Sequence, residues 1–99
     1  MIVGLVGSSI TIKDFFNILK NVAISRINAE IGNLTEDIEG MQFSLNMWEG
    51  YVAGIENEEV KAMYQRNVIS SIKSTISEAE EAVKILELSK KEIENMVVE

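Results

Sequence analysis

Apolar residues recur every three or four positions along most of the chain, in two long runs. The first run consists of Ile24, Ile27, Ile31, Leu34, Ile38, Met41, Leu45 and Trp48. Such a heptad seam stays on one side of an α-helix only while the backbone remains helical, so we expect Gly32 and Gly40 to lie inside the helix. The competing interpretation breaks the helix at Gly32, with Asn33 or Thr35 capping a new one.

The first helix is predicted to begin at about residue 11. Thr11 precedes Asp14 by three residues, a spacing that resembles a capping box, in which side-chain oxygens accept from free backbone N–H groups. Upstream of the seam the apolar stripe is wider, which predicts contact with more than one neighbour. It contains Ile12, Phe15, Phe16, Ile18, Leu19, Val22 and Ala23.

The second run predicts a second helix. It contains Ile69, Ile72, Ile76, Ala79, Val83, Leu86, Ile93 and Val97, with Lys90 at one seam position. Val60, Met63, Tyr64 and Val68 broaden it near the turn. Asn57 is a candidate N-cap, since two acids that favour a helix N-terminus follow it.

These patterns predict an all-α fold, an antiparallel two-helix hairpin over residues 1–99 as one domain. We expect helix 1 at about 11–48, a turn at about 49–56 and helix 2 at about 57–97. A lone hairpin leaves much apolar surface in water, which costs about 25 cal/mol per Å². The sequence therefore predicts assembly into a four-helix bundle dimer.

The amino-acid composition limits the classes of function that we expect. The chain has no Cys and no His, which removes thiol nucleophiles, imidazole bases and the usual zinc ligands, so we expect no enzyme activity, metal or cofactor. Nine basic and 16 acidic residues give a formal charge of −7, which disfavours nucleic acid. The short apolar start, Met1 to Val6, lacks the pattern of a secretory signal, and we expect no membrane insertion.

One motif is more informative about function than the composition. Trp48-Glu49-Gly50 joins the only Trp to a Gly at the predicted reversal of the chain. A purely structural interpretation is that Trp48 ends the seam and Gly50 permits the turn.

With its length, heptad helices and lack of a cleavable signal, the chain resembles the Trp-x-Gly family of small type VII secretion proteins, the group of the early secreted antigens. That resemblance implies an antiparallel helical-hairpin dimer, secreted by a signal-peptide-independent route or cytoplasmic before export. The protein would be a secreted substrate, or a targeting partner of a larger effector through helix–helix binding.

The family export signal, Tyr-x-x-x-Asp/Glu, has only a degenerate counterpart here, Leu88 with Glu92, which favours a partner role. The alternative function is a cytoplasmic coiled-coil adaptor or oligomerisation module unrelated to secretion. The expected partner is a second copy, a related helical protein or an effector's helical domain. The turn motif is Trp48 and Gly50, and the predicted partner-binding seam is Ile31, Leu34, Ile38, Leu45, Ile72, Ile76, Val83 and Leu86.

Overall fold

Two helical arms run antiparallel along most of their length, which confirms the predicted helical hairpin. The computed structural model measures 75 × 24 × 14 Å. It describes the backbone of residues 3–5 and 8–97 and the side chains of residues 11–97. The first arm is helix α1, Ile12–Ala53. The second arm is α2 (Glu58–Tyr64), a π-helical turn (Gln65–Ile69) and α3 (Ser70–Glu94), joined without a break.

Helix α1 begins where the sequence predicts. The Thr11 side chain accepts from the backbone N–H of Asp14 at 3.1 Å, which satisfies a free donor of the first turn. Gly32 and Gly40 both lie inside the helix, so the alternative break at Gly32 is wrong. Thr35 caps nothing, because its hydroxyl donates back to the Ile31 carbonyl at 2.8 Å, a bond typical of Thr within a helix.

The predicted turn at 49–56 is wrong in its first half. Helix α1 continues five residues past Trp48 and ends at Ala53, so Trp48 and Gly50 both lie inside it. The physical reason is Val52, which occupies the next seam position, four residues after Trp48, and is completely buried at 0% exposure. Burying Val52 offsets the cost of about 1 kcal/mol for a Gly in a helix interior. The chain reverses at Gly54–Asn57.

The second arm begins at the predicted cap. The Asn57 side chain accepts from the backbone N–H groups of Glu59 and Val60 at 3.0 and 3.1 Å. The arm ends at Glu94, three residues short of the predicted position 97.

The second arm contains one more residue than a regular heptad pattern allows, and the π turn accommodates it. The inward positions are Lys61 and Tyr64 before the turn, Val68 and Ile69 within it, and Ile72 and Ile76 after it. Within the turn, the Ser70 N–H donates to the Gln65 carbonyl five residues back. This wider loop keeps adjacent Val68 and Ile69 both facing α1. Of the four residues predicted to broaden the run, Tyr64 and Val68 face α1 because of this shift of phase, whereas Val60 and Met63 are exposed.

The described part of the N-terminal segment departs from a purely helical chain. Strand β1 (Val3–Leu5) pairs antiparallel with β2 (Ser8–Ile10), with Gly4 opposite Ser9. The apolar start, Met1 to Val6, falls partly outside the described residues.

Lys20 joins the open ends of the hairpin. Its ammonium donates to the carbonyls of Glu94 and Met96, both at 2.8 Å. These carbonyls lie where α3 ends and lack helical partners, and a cation is favoured there. The contact holds the start of the first arm against the end of the second.

Candidate helix-binding surface

The predicted partner-binding seam lies between the two arms of this same chain. Its members are half-buried except Ile76, which is buried. They are Ile31, Leu34, Ile38, Leu45, Ile72, Ile76, Val83 and Leu86. Ile38 and Val83, from opposite arms, line one groove. The chain's own second arm therefore occupies the seam, and a partner would reach only its exposed edges.

A different line of residues on α1 faces solvent, and we call it the outer stripe. Successive helix residues turn by about 100°, which places its members within a sector of roughly 80°, about 120° around the helix from the seam. All are exposed. They are Phe15, Leu19, Val22, Arg26, Ala29, Asn33, Asp37, Gly40, Ser44, Met47 and Tyr51. Large apolar side chains lie at both ends of the stripe, and shorter or charged ones lie between them.

The predicted wide stripe at the start of α1 is mostly exposed. Phe16 and Ala23 are half-buried in the hairpin. The other five residues are exposed, Phe15, Leu19 and Val22 within the outer stripe and Ile12 and Ile18 outside it. This start of α1 is therefore apolar on a face that the hairpin does not cover.

Three aromatic rings pack together near the turn, and we call them the aromatic cluster. Trp48 stacks on Tyr64 at a centroid distance of 5.9 Å and meets Tyr51 edge-on at 5.7 Å. Tyr51 also meets Tyr64 edge-on at 5.8 Å. Such pairs stabilise beyond the area that they bury. With Met47 these rings line an open, mostly apolar cleft of about 350 Å³.

No known protein family, curated protein or solved structure matches the chain. The resemblance to the Trp-x-Gly family therefore rests on the residues of this chain alone. Of those residues, Trp48 belongs to the aromatic cluster, and Gly50 is one exposed residue of α1.

The degenerate export-signal residues lie on the second arm, away from the aromatic cluster. Leu88 and Glu92 are both exposed on α3. Leu88 borders a groove whose other lining side chains are mainly charged, among them Lys84, Glu87 and Lys91. The pair is accessible, but Leu88 has no hydroxyl with which to reproduce a Tyr.

Two kinds of feature are absent from the described part of the chain. No group of three or more acidic, His or Cys side chains there is placed to hold a metal ion. Across the same residues, no helix is both long and apolar enough to cross a membrane. The described surface has a helix face with large apolar residues at both ends and an aromatic cleft at one of them, an arrangement suited to binding other helices.

Sequence reasoning missed the outer stripe, Val52, and the roles of Tyr51 and Tyr64. A signal for the stripe was present, because its members also alternate steps of three and four, on a second phase of the same helix. The seam contains more Ile and Leu, so its pattern dominates the sequence and the second pattern is easily overlooked. The position of Tyr64 follows from the π turn, which periodicity alone does not reveal.

Proposed function

We propose that this protein acts by binding helices through the exposed face of α1 and the aromatic cluster. The observation that carries the proposal is the amount of apolar surface left open: only Val52, Ile69 and Ile76 are buried apolar residues among the described side chains. Exposed apolar residues at both ends of one helix face are typical of an interaction surface. No catalytic role is assigned.

A finer proposal concerns the setting. We propose a small Trp-x-Gly-like protein of a type VII secretion system, a secreted substrate or the targeting partner of a larger effector. Support comes from the Trp48-Glu49-Gly50 motif, the hairpin shape, and the position of Trp48 beside an accessible cleft. The absence of Tyr at position 88 favours the partner role.

Export provides the test. The protein is expressed in a host with an active type VII secretion ATPase and in the matched strain lacking that ATPase, with and without a candidate effector. Accumulation outside the cell that needs both the ATPase and the effector supports the partner role. Export that needs only the ATPase supports a substrate, and retention under all conditions contradicts the secretion proposal.

A second candidate function is a cytoplasmic adaptor or oligomerisation module. The observation that favours it is the position of Trp48 within α1, where packing against Tyr51 and Tyr64 explains the residue without a secretion role. For this function the protein remains in the cell but still binds helical partners. Retention of the protein in the cell, together with binding of helical partners, would therefore support the adaptor function.

A further inference from the structure

The tip of the hairpin, residues 47–64, exposes large apolar side chains on one side. Met47 directly precedes Trp48. Met63 directly precedes Tyr64, the ring on which Trp48 stacks. Each residue turns an α-helix by about 100°, so in antiparallel arms the two Met side chains lie on the same side of the stacked rings. Both are exposed.

Tyr51 and Val60 enlarge this apolar side of the tip. Tyr51 follows Trp48 by three residues and Val60 precedes Tyr64 by four, which turns both toward the two Met side chains. Both are exposed. We call the four exposed residues, Met47, Tyr51, Val60 and Met63, the tip face. It includes part of the lining of the aromatic cleft. Flexible Met side chains beside rigid rings are typical of surfaces that bind helices.

The tip is also negatively charged. It contains one cation, Lys61, which is half-buried, and four exposed carboxylates, Glu49, Glu56, Glu58 and Glu59. The tip therefore carries −3 of the formal charge of −7, although it is less than a fifth of the chain. The grooves along the arms differ, because their linings contain charges of both signs. A field of one sign around an apolar cleft attracts a partner of the opposite charge.

We propose that the tip face binds a basic amphipathic helix of a partner protein. One large apolar side chain of that helix enters the cleft of about 350 Å³, and its Lys or Arg side chains lie beside the carboxylates of the tip. The faces of the aromatic rings attract cations as well. An acidic partner is disfavoured at this end, and a second copy of the chain, with its charge of −7, is such a partner.

Fluorescence of Trp48 tests the chemistry of the partner, because Trp48 is the only Trp of the chain and lines the cleft. The probes are synthetic amphipathic peptides of equal length, built from heptads of Leu with Lys, with Gln or with Glu, and free of Trp and Tyr. Affinities are measured by calorimetry and by Trp48 emission.

We expect the Lys peptide to shift Trp48 emission to shorter wavelength and to bind about tenfold or more tightly than the Gln peptide, with the Glu peptide weakest. Equal affinities for the Lys and Gln peptides would overturn the basic partner. Binding that calorimetry detects without any change in Trp48 emission would overturn the cleft as its site.

A pair of variants on α1 tests the tip face. Met47→Gln makes one wall of the cleft polar, and Phe43→Gln is the control one turn away, outside the cleft lining. Met47 is 62% and Phe43 68% exposed, and Gln is a good helix former, so both variants should fold. We expect Met47→Gln to weaken binding of the Lys peptide about fivefold or more, and Phe43→Gln less than about twofold. Equal effects would contradict the proposal.

A second pair of variants separates the charge of the tip from the charge of the whole chain. The double variant Glu56→Gln with Glu59→Gln removes two carboxylates at the tip. The control, Glu80→Gln with Glu81→Gln, removes two exposed carboxylates from a groove along the arms. We expect about fivefold weaker binding of the Lys peptide for the tip variant and less than about twofold for the control. Equal losses would show that only net charge matters and would overturn the proposal.

This inference rests on the proposed helix-binding function, and the two fail differently. If the Gln peptide binds at the cleft as tightly as the Lys peptide, the basic partner is wrong and helix binding remains. If none of the peptides binds at about 100 μM, a concentration at which even weak complexes form, both are contradicted.

Discussion

Trp48 is held by two neighbouring rings and not by deep burial. It is 37% exposed, stacks on Tyr64 and meets Tyr51 edge-on. Interpreting Trp48 as the buried end of the seam implies a loss of about 3–5 kcal/mol on truncation, the range for large residues in a core. The observed exposure lowers that expectation.

We expect Trp48→Ala to reduce the free energy of unfolding by about 2 kcal/mol, because it removes two aromatic pairs and part of one large apolar side chain. Urea unfolding followed by far-UV circular dichroism measures the change. Phe43→Ala is the control, since Phe43 is 68% exposed and no aromatic pairing of its ring is seen among the described side chains. Equal losses for the two variants would show that the aromatic pairs contribute nothing.

Gly50 has a different role in a helix from the one it has in a turn. At a turn it would supply backbone freedom, and an Ala there would destabilise the fold. In the structure Gly50 is an interior residue of α1 with open space around a Cβ. A Gly in that position weakens the helix, because it loses more conformational freedom on folding than Ala does.

We therefore expect Gly50→Ala to stabilise the protein by about 0.5–1 kcal/mol, measured by urea unfolding. Gly54→Ala is the control, because Gly54 follows the helix and gains no interior propensity. A destabilised Gly50→Ala would contradict the helical assignment. If Gly50→Ala is more stable but no longer exported, the motif acts in recognition and not in folding.

At the level of elements, the π turn determines which side chains of the second arm reach α1. It places Tyr64 in the aromatic cluster and still allows Ile69 and Ile76 to be buried. The Ser71 hydroxyl donates to the Asn67 carbonyl at 2.9 Å, which adds a donor beside the widened turn. If the same sequence formed a regular α-helix, either Tyr64 or the pair Ile69 and Ile76 would face away from α1.

Deletion of Asn67 should convert the π turn into α-helix, because it removes the one residue that exceeds the heptad pattern. The segments before and after the deletion then stay in phase, so Tyr64 keeps its contact with Trp48, and we expect unchanged Trp fluorescence and near-UV circular dichroism with helix content preserved. Deletion of Lys73 within α3, where no residue is in excess, is the control: it should turn one side of the second arm by about 100° relative to the other and destabilise the protein. A changed Trp spectrum after deletion of Asn67 would show that the extra residue is needed to place Tyr64.

At the level of the whole molecule, the seam and the outer stripe have separate roles. The seam holds the two arms together, whereas the outer stripe is open on the single chain. Polar substitutions in the two places should therefore have different effects.

We expect Ile38→Asn to destabilise the hairpin by about 2–3 kcal/mol, because Ile38 lies between the arms. Leu19→Ser should leave helix content unchanged but weaken the proposed binding of helices by the outer stripe, the predicted association with a second copy included. Circular dichroism melts over roughly 5 to 200 μM, with light scattering at the same concentrations, separate the effects. If Ile38→Asn instead dissociates the assembled protein without loss of stability, the seam is the partner-binding surface, as the sequence predicts.

The sequence by itself determined the helical hairpin, the caps at Thr11 and Asn57, and the helical state of Gly32 and Gly40. These features depend on side-chain period and on local hydrogen bonds, which are set by residues a few positions apart. Only the tertiary structure decided the end of α1, the phase shift at the π turn, and which face remains open. Each of these depends on contact between residues distant in sequence. Val52 extends α1 because it is buried in the folded hairpin, and the outer stripe is exposed because the second arm already covers the seam.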